Sequence, residues 1–133
     1  MSNPTLGIIG GGQLGSLLAE AAKKLNIETV ILSDDINAPA KNFTKNFVCG
    51  NYEDEKIINE FISKVDLITF EFENIPYKVL KNINEQKTIL PKPEINKLIQ
   101  NRYSEKDFLN KNDIRTTRYA LIKDEDEIKI NQG

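Results

Sequence analysis

The spacing of apolar and polar positions changes repeatedly along residues 5–90. Thr5 to Ile9 is a short apolar run and predicts a strand. Leu14, Leu17, Leu18, Ala21, Ala22 and Leu25 then recur at helical spacing, which predicts a helix with one apolar stripe, ending near Asn26. Glu28 to Ser33 predicts a second strand, followed by the turn-rich stretch DDINAPAKN. Phe47 to Cys49 predicts a third. Glu53 to Lys64 puts Ile57, Ile58, Phe61 and Ile62 on one helical face, with acids in the first turn where the helix dipole favours them. Asp66 to Phe70 predicts a fourth strand, a helix starts at Pro76, and Thr88 to Leu90 predicts a fifth strand ending at Pro91. Strands alternating with helices across short links predict an α/β fold, a doubly wound parallel sheet with helices on both faces.

Beyond Pro91-Lys92-Pro93 the pattern differs. Two helical segments follow, EINKLIQ and RYSEKDFLNKN, then a strand-like TTRYALI and a charged helical start at Asp124. The boundary is therefore placed after residue 92, giving domains 1–92 and 93–133. The last unit is unfinished at Gly133, and the expectation is a truncated chain.

Composition narrows the class. Hydrophobic residues make up 39% and charged residues 29% of the 133, a globular balance. Eighteen basic and 20 acidic residues leave a net charge of −2, with no electrostatic footprint for nucleic acid or an anionic membrane. No apolar run approaches the ~20 residues a membrane helix needs, and the N-terminus lacks a secretory pattern. The single cysteine, Cys49, permits no internal disulfide and reads as a small buried hydrophobe on its strand. A cytoplasmic setting is expected, so the Asn42-Phe43-Thr44 sequon has no consequence. Histidine is absent, which excludes Ser-His and Cys-His nucleophiles and histidine metal sites within the chain.

Candidate chemistry starts at the glycines. Gly10, Gly12 and Gly15 match G-x-G-x-x-G between a strand and a helix. In that setting Gly10 allows the turn, Gly12 lets a ligand approach the backbone, and Gly15 lets the helix pack closely. The exposed amides and helix dipole suit a phosphate; a turn serving packing alone is the alternative. A dinucleotide would also require an acid after the second strand, and Asp34 or Asp35 serves either that role or the turn itself. The fourth strand leads into FEFEN, where Glu71 and Glu73, two apart, share a side while the chain stays extended. Two carboxylates repel a pyrophosphate. They suit a polar, nitrogen-bearing ligand with hydroxyls and a single phosphate held elsewhere, unless FEFEN is simply a solvated strand end.

IIGGGQLGSLLAEAAKKLNI, DDINAPA, TFEFENIP and PKPE…QNRYSEKDFLNKNDIRTTRY resemble, in order and spacing, the N-terminal third of N5-carboxyaminoimidazole ribonucleotide synthase. That family is the purine-biosynthetic ligase of the ATP-grasp superfamily. The resemblance implies a Rossmann-like pre-ATP-grasp domain and the linker into an ATP-binding domain. It also implies ATP with magnesium, bicarbonate activated as carboxyphosphate, and carboxylation of the exocyclic amine of aminoimidazole ribonucleotide. A homodimer is implied as well. Carried onto this chain, it makes Gly10, Gly11, Gly12, Gln13, Leu14, Glu71, Glu73 and Asn74 ribonucleotide-binding, and Arg102 a contact to ATP phosphate. Lys106, on the same helical face, reads as a surface residue. No catalytic residue and no metal ligand is assigned here, because the phosphate-gripping lysines, the glycine-rich lid and the magnesium carboxylates of the family fall beyond Gly133. One departure stands out: Ser33 replaces an acid common in the family, which removes any role that acid plays. Two other readings remain at this stage, an NAD-binding domain of a dehydrogenase and a non-catalytic nucleotide-sensing module.

Overall fold

The computed structural model describes residues 4–130 and divides into two compact units between Asn96 and Lys97. In the first unit the elements are β1 (Leu6–Ile9), α1 (Gln13–Lys24), β2 (Thr29–Ser33), a 3-10 turn (Pro39–Phe43), β3 (Asn46–Cys49), α2 (Glu55–Ser63), β4 (Leu67–Phe70) and α3 (Tyr77–Gln86). The strands form one parallel sheet in the order β3-β2-β1-β4. Beside β4 the expected fifth strand contracts to a single parallel bridge, Ile68 to Ile89. There the Ile68 amide donates to Thr88 and the Leu90 amide returns to Ile68. The sheet is α/β and covered on both faces, as the alternation predicts.

Strand alternation sorts the core into two layers. Ile9, Val30, Leu32, Val48 and Ile68 meet α2 and α3 through Ile58, Phe61, Ile62, Leu80 and Ile83, all buried. On the opposite face Ile8 and Ile31 pack with Ala19 of α1 and Ala40 of the 3-10 turn. The Asp54 carboxylate caps helix α2 by accepting from the Lys56 amide at 2.8 Å, so the helix starts at Glu55, two residues later than the sequence pattern placed it. Pro76 stands as the N-cap of α3 rather than inside it.

Helix α1 departs from expectation. Its buried residues are Gly15, Ser16, Ala19 and Ala22. Leu14, Leu17, Leu18 and Leu25 are instead 56, 55, 39 and 71% exposed. At about 100° per residue, the leucines form a coherent stripe turned roughly a third of the helix away from the small-residue seam. The reason is the closeness of α1 to the loop before it. A Cβ on Gly15 would overlap the Gly10 carbonyl oxygen, so only small side chains fit the seam. Cys49 is half-buried on β3.

Helix α4 (Pro93–Ile99) spans the division between the units. In the second unit α5 (Arg102–Lys111) is capped by Asn101, whose side chain accepts from the Ser104 amide at 2.9 Å. A short helix, α6 (Glu125–Ile130), closes the described chain. The strand-like TTRYALI is irregular. Its residues find local partners instead: Thr116 and Thr117 bond to Asn110 and Lys106, and Tyr119 packs edge-on to Tyr103 at 5.6 Å. Among the described residues no helix is long and apolar enough to cross a membrane.

Candidate functional site

At the carboxyl edge of the sheet, where ligands of open α/β folds sit, lies a cleft of about 270 Å³. Its floor is Gly11 and Gly12. Ser33, Asp34, Asp35, Ala38 and Pro39, together with Tyr52, Glu71 and Phe72, complete its lining. A larger cleft of about 440 Å³ opens on the far side of Tyr52, between α2 and α3, lined among others by Asn59, Lys78, Asn82 and Gln86. The smaller one carries the loop amides and the carboxylate, and is the candidate site.

Each loop glycine has a different reason to be glycine. Gly10 has φ of +118°, a backbone region closed to most side chains, and a Cβ there would fall on Glu71. A Cβ on Gly11 would sit 2.6 Å from Ala38 Cβ and 2.7 Å from Ser33 Oγ. Gly12 is the least crowded, its added Cβ meeting only Glu71 Oε1 at 3.1 Å. Three of the four glycines at positions 10, 11, 12 and 15 are thus required by packing within the protein; Gly12 faces the cleft.

Glu71 reaches across the cleft floor. Its Oε1 accepts from the Gly12 amide at 3.3 Å, while its own amide donates to the Ile9 carbonyl at 3.2 Å. The pairing of Glu71 with Glu73 on one side does not persist: β4 ends at Phe70 and the chain turns, leaving Glu71 half-buried and Glu73 exposed. Strand alternation governs only residues that stay in the strand. Asn96, fully buried, holds this turn by donating from Nδ2 to the Glu73 and Ile75 carbonyls, 3.2 Å each.

Tyr52 also lines the cleft, although no local sequence pattern marks it. Its hydroxyl donates to Asp34 Oδ1 at 3.2 Å and accepts from the Asp34 amide at 3.4 Å; its ring tilts against Phe72 with centroids 5.8 Å apart. Burial pushes the phenol above its ordinary pKa, partly offset by the Asp34 backbone hydrogen bond. The only sequence signal was an aromatic residue placed in an otherwise polar link, Asn51 to Asp54. Asp35 is engaged in the turn, its carboxylate accepting from Asn37 at 2.8 Å and its amide donating to Ser33 Oγ at 3.2 Å. Ser33 thus supports the turn as an acceptor.

Of the predicted ligand contacts, Gly11, Gly12 and Glu71 line this cleft and Gly10 is buried beneath Glu71. Gln13 and Leu14 are exposed in the first turn of α1, and Glu73 and Asn74 in the turn after β4. Arg102 opens α5 in the second unit; its guanidinium is 79% exposed and pairs with Glu105 at 3.0 Å. Lys106 donates to Thr117 at 3.0 Å and lies 5.7 Å from the Tyr119 ring centre. No group of three or more acidic, cysteine or histidine side chains suited to a metal occurs among the described residues.

The family model of the ribonucleotide synthetase preATP-grasp domain matches residues 3–100. An N5-carboxyaminoimidazole ribonucleotide synthase of Brucella melitensis is 39% identical over 124 residues, covering 93% of this chain and 34% of that protein. The crystal structure of N5-carboxyaminoimidazole synthetase from Staphylococcus aureus complexed with ADP superposes with a TM-score of 0.88 at 34% identity, over 96% of this chain and 34% of that one. The Aspergillus clavatus synthase, solved with ADP and the 5-aminoimidazole ribonucleotide, has a TM-score of 0.73 at 30% identity, over 82% of this chain and 29% of that one. The chain thus spans about a third of the length of these relatives. From the match across residues 3–100 and the likeness in fold, the chain belongs to the family of ribonucleotide synthetase preATP-grasp domains.

Proposed function

We propose that this chain supplies the ribonucleotide-binding part of an ATP-dependent ligase that carboxylates aminoimidazole ribonucleotide in purine biosynthesis. The observation that carries the reading is the likeness to a synthase solved with both ADP and that ribonucleotide, across 82% of this chain. The cleft chemistry agrees with it. Glu71, Asp34, Ser33 and the Tyr52 hydroxyl are suited to ribose hydroxyls and an amine. Gln13, Leu14, Glu73 and Asn74 extend the contact from the loop and the turn after β4, and Arg102 meets ATP phosphate.

In this reading the chain binds and orients, and apart from Arg102 the residues that hold ATP and magnesium and activate bicarbonate are contributed outside it. No step through magnesium is assigned to the residues of this chain. The working enzyme is a cytoplasmic homodimer.

Calorimetric titration of the 133-residue chain with aminoimidazole ribonucleotide and, separately, NAD tests the reading. Binding of the ribonucleotide with no NAD response is expected. The reverse pattern, abolished by Asp34→Ala, would transfer the chain to a dehydrogenase. Ribonucleotide-dependent ATP hydrolysis by this chain alone should be undetectable, since this reading assigns the groups that position ATP in line with bicarbonate to the rest of the ligase.

A further inference from the structure

Helix α1 starts at Gly12 with no capping side chain and no acid in its first turn. Its positive end is met by the Glu71 carboxylate, which arrives from 59 residues further along the chain and accepts from the Gly12 amide at 3.3 Å. The same side chain occupies the space beside Gly10. A glycine-loop amide and the positive pole of a helix are what hold pyrophosphate in dinucleotide folds. In this chain a carboxylate of the protein holds both.

We propose that Glu71 is a specificity-determining residue that fills the loop's anion seat and so excludes pyrophosphate-bearing ligands, dinucleotides and ATP alike, from this cleft. A carboxylate has about four lone-pair sites. With Gly12 on one of them, Glu71 still accepts from ligand hydroxyls or an amine, so the cleft takes the donor-rich part of a ribonucleotide. The proposal rests on the functional reading above for its substrate, but its exclusion of pyrophosphate stands by itself.

The test follows the Gly12 amide by ¹⁵N–¹H spectroscopy of the 133-residue chain during titration with inorganic pyrophosphate at constant ionic strength. In the native chain the Gly12 resonance should stay unmoved at millimolar pyrophosphate. In Glu71→Gln, which keeps the size of the side chain and removes its charge, pyrophosphate should bind at least about tenfold more tightly, with Gly12 among the resonances that shift most. Equal affinity in the two proteins overturns the proposal. Should the variant spectrum show an unfolded chain, the native titration decides alone: a Gly12 shift at low millimolar pyrophosphate refutes the exclusion, and an unmoved resonance upholds it. A parallel titration with aminoimidazole ribonucleotide separates the two claims. Silence there removes the substrate assignment while the pyrophosphate comparison still judges Glu71.

Discussion

Gly10 and Gly12 are two residues apart and should respond very differently to the same change. Gly10→Ala places a Cβ at φ of +118° and onto Glu71, and should cost roughly 1–3 kcal/mol or more in denaturant unfolding. Gly12→Ala has an ordinary φ of −72° and one neighbour at 3.1 Å, the tip of a flexible side chain, and should stay within about 1 kcal/mol. If the two variants unfolded together, the packing roles described for these glycines would be wrong. The glycine spacing was legible in the sequence. What it could not reveal is that Glu71 and Ser33 supply the crowding, because those contacts close only when β4 and β2 are set on either side of β1. Tyr52 was illegible for the same reason: its partners Asp34 and Phe72 lie 18 and 20 positions away, and no local pattern joins them.

At the scale of elements, strands were the most legible, since β1 to β4 each lie within one or two residues of their expected bounds. Helix α1 shows where periodicity misleads. A stripe of leucines at helical spacing marks an apolar face but not which neighbour covers it, and the sheet took the small-residue seam instead. TTRYALI has strand-like composition but no pairing partner in the described structure, and composition without a partner does not make a strand. Two variants probe the ends of elements. Asp54→Ala removes the cap of α2 and should cost about 1 kcal/mol by thermal or denaturant unfolding. Asn96→Leu removes two hydrogen bonds to the turn after β4 but also a buried Oδ1 that has no hydrogen-bond partner. The net cost should be about 1–2 kcal/mol, with faster amide exchange concentrated at residues 71–75. Uniform loosening of the whole sheet would deny Asn96 its local role.

For the molecule as a whole, stability concentrates in the layer between the sheet and α2 and α3. Phe61 is fully buried there, and its ring approaches β1 so closely that a Cβ on Gly7 would come within 2.7 Å of it. Phe61→Ala should therefore cost about 3–5 kcal/mol. The opposite layer is thin, and that has a practical consequence. Because α1 meets the sheet through glycine, serine and alanine, its leucines are left at the surface of a chain whose net charge is only −2. Low net charge and grouped apolar side chains both favour self-association and precipitation. Leu17→Gln removes one of those side chains without altering the charge. It should raise the ammonium sulfate concentration at which the protein salts out, while unfolding stability stays within about 0.5 kcal/mol. The tight seam that brings the helix to its loop thus also sets how concentrated a solution of this chain can be made.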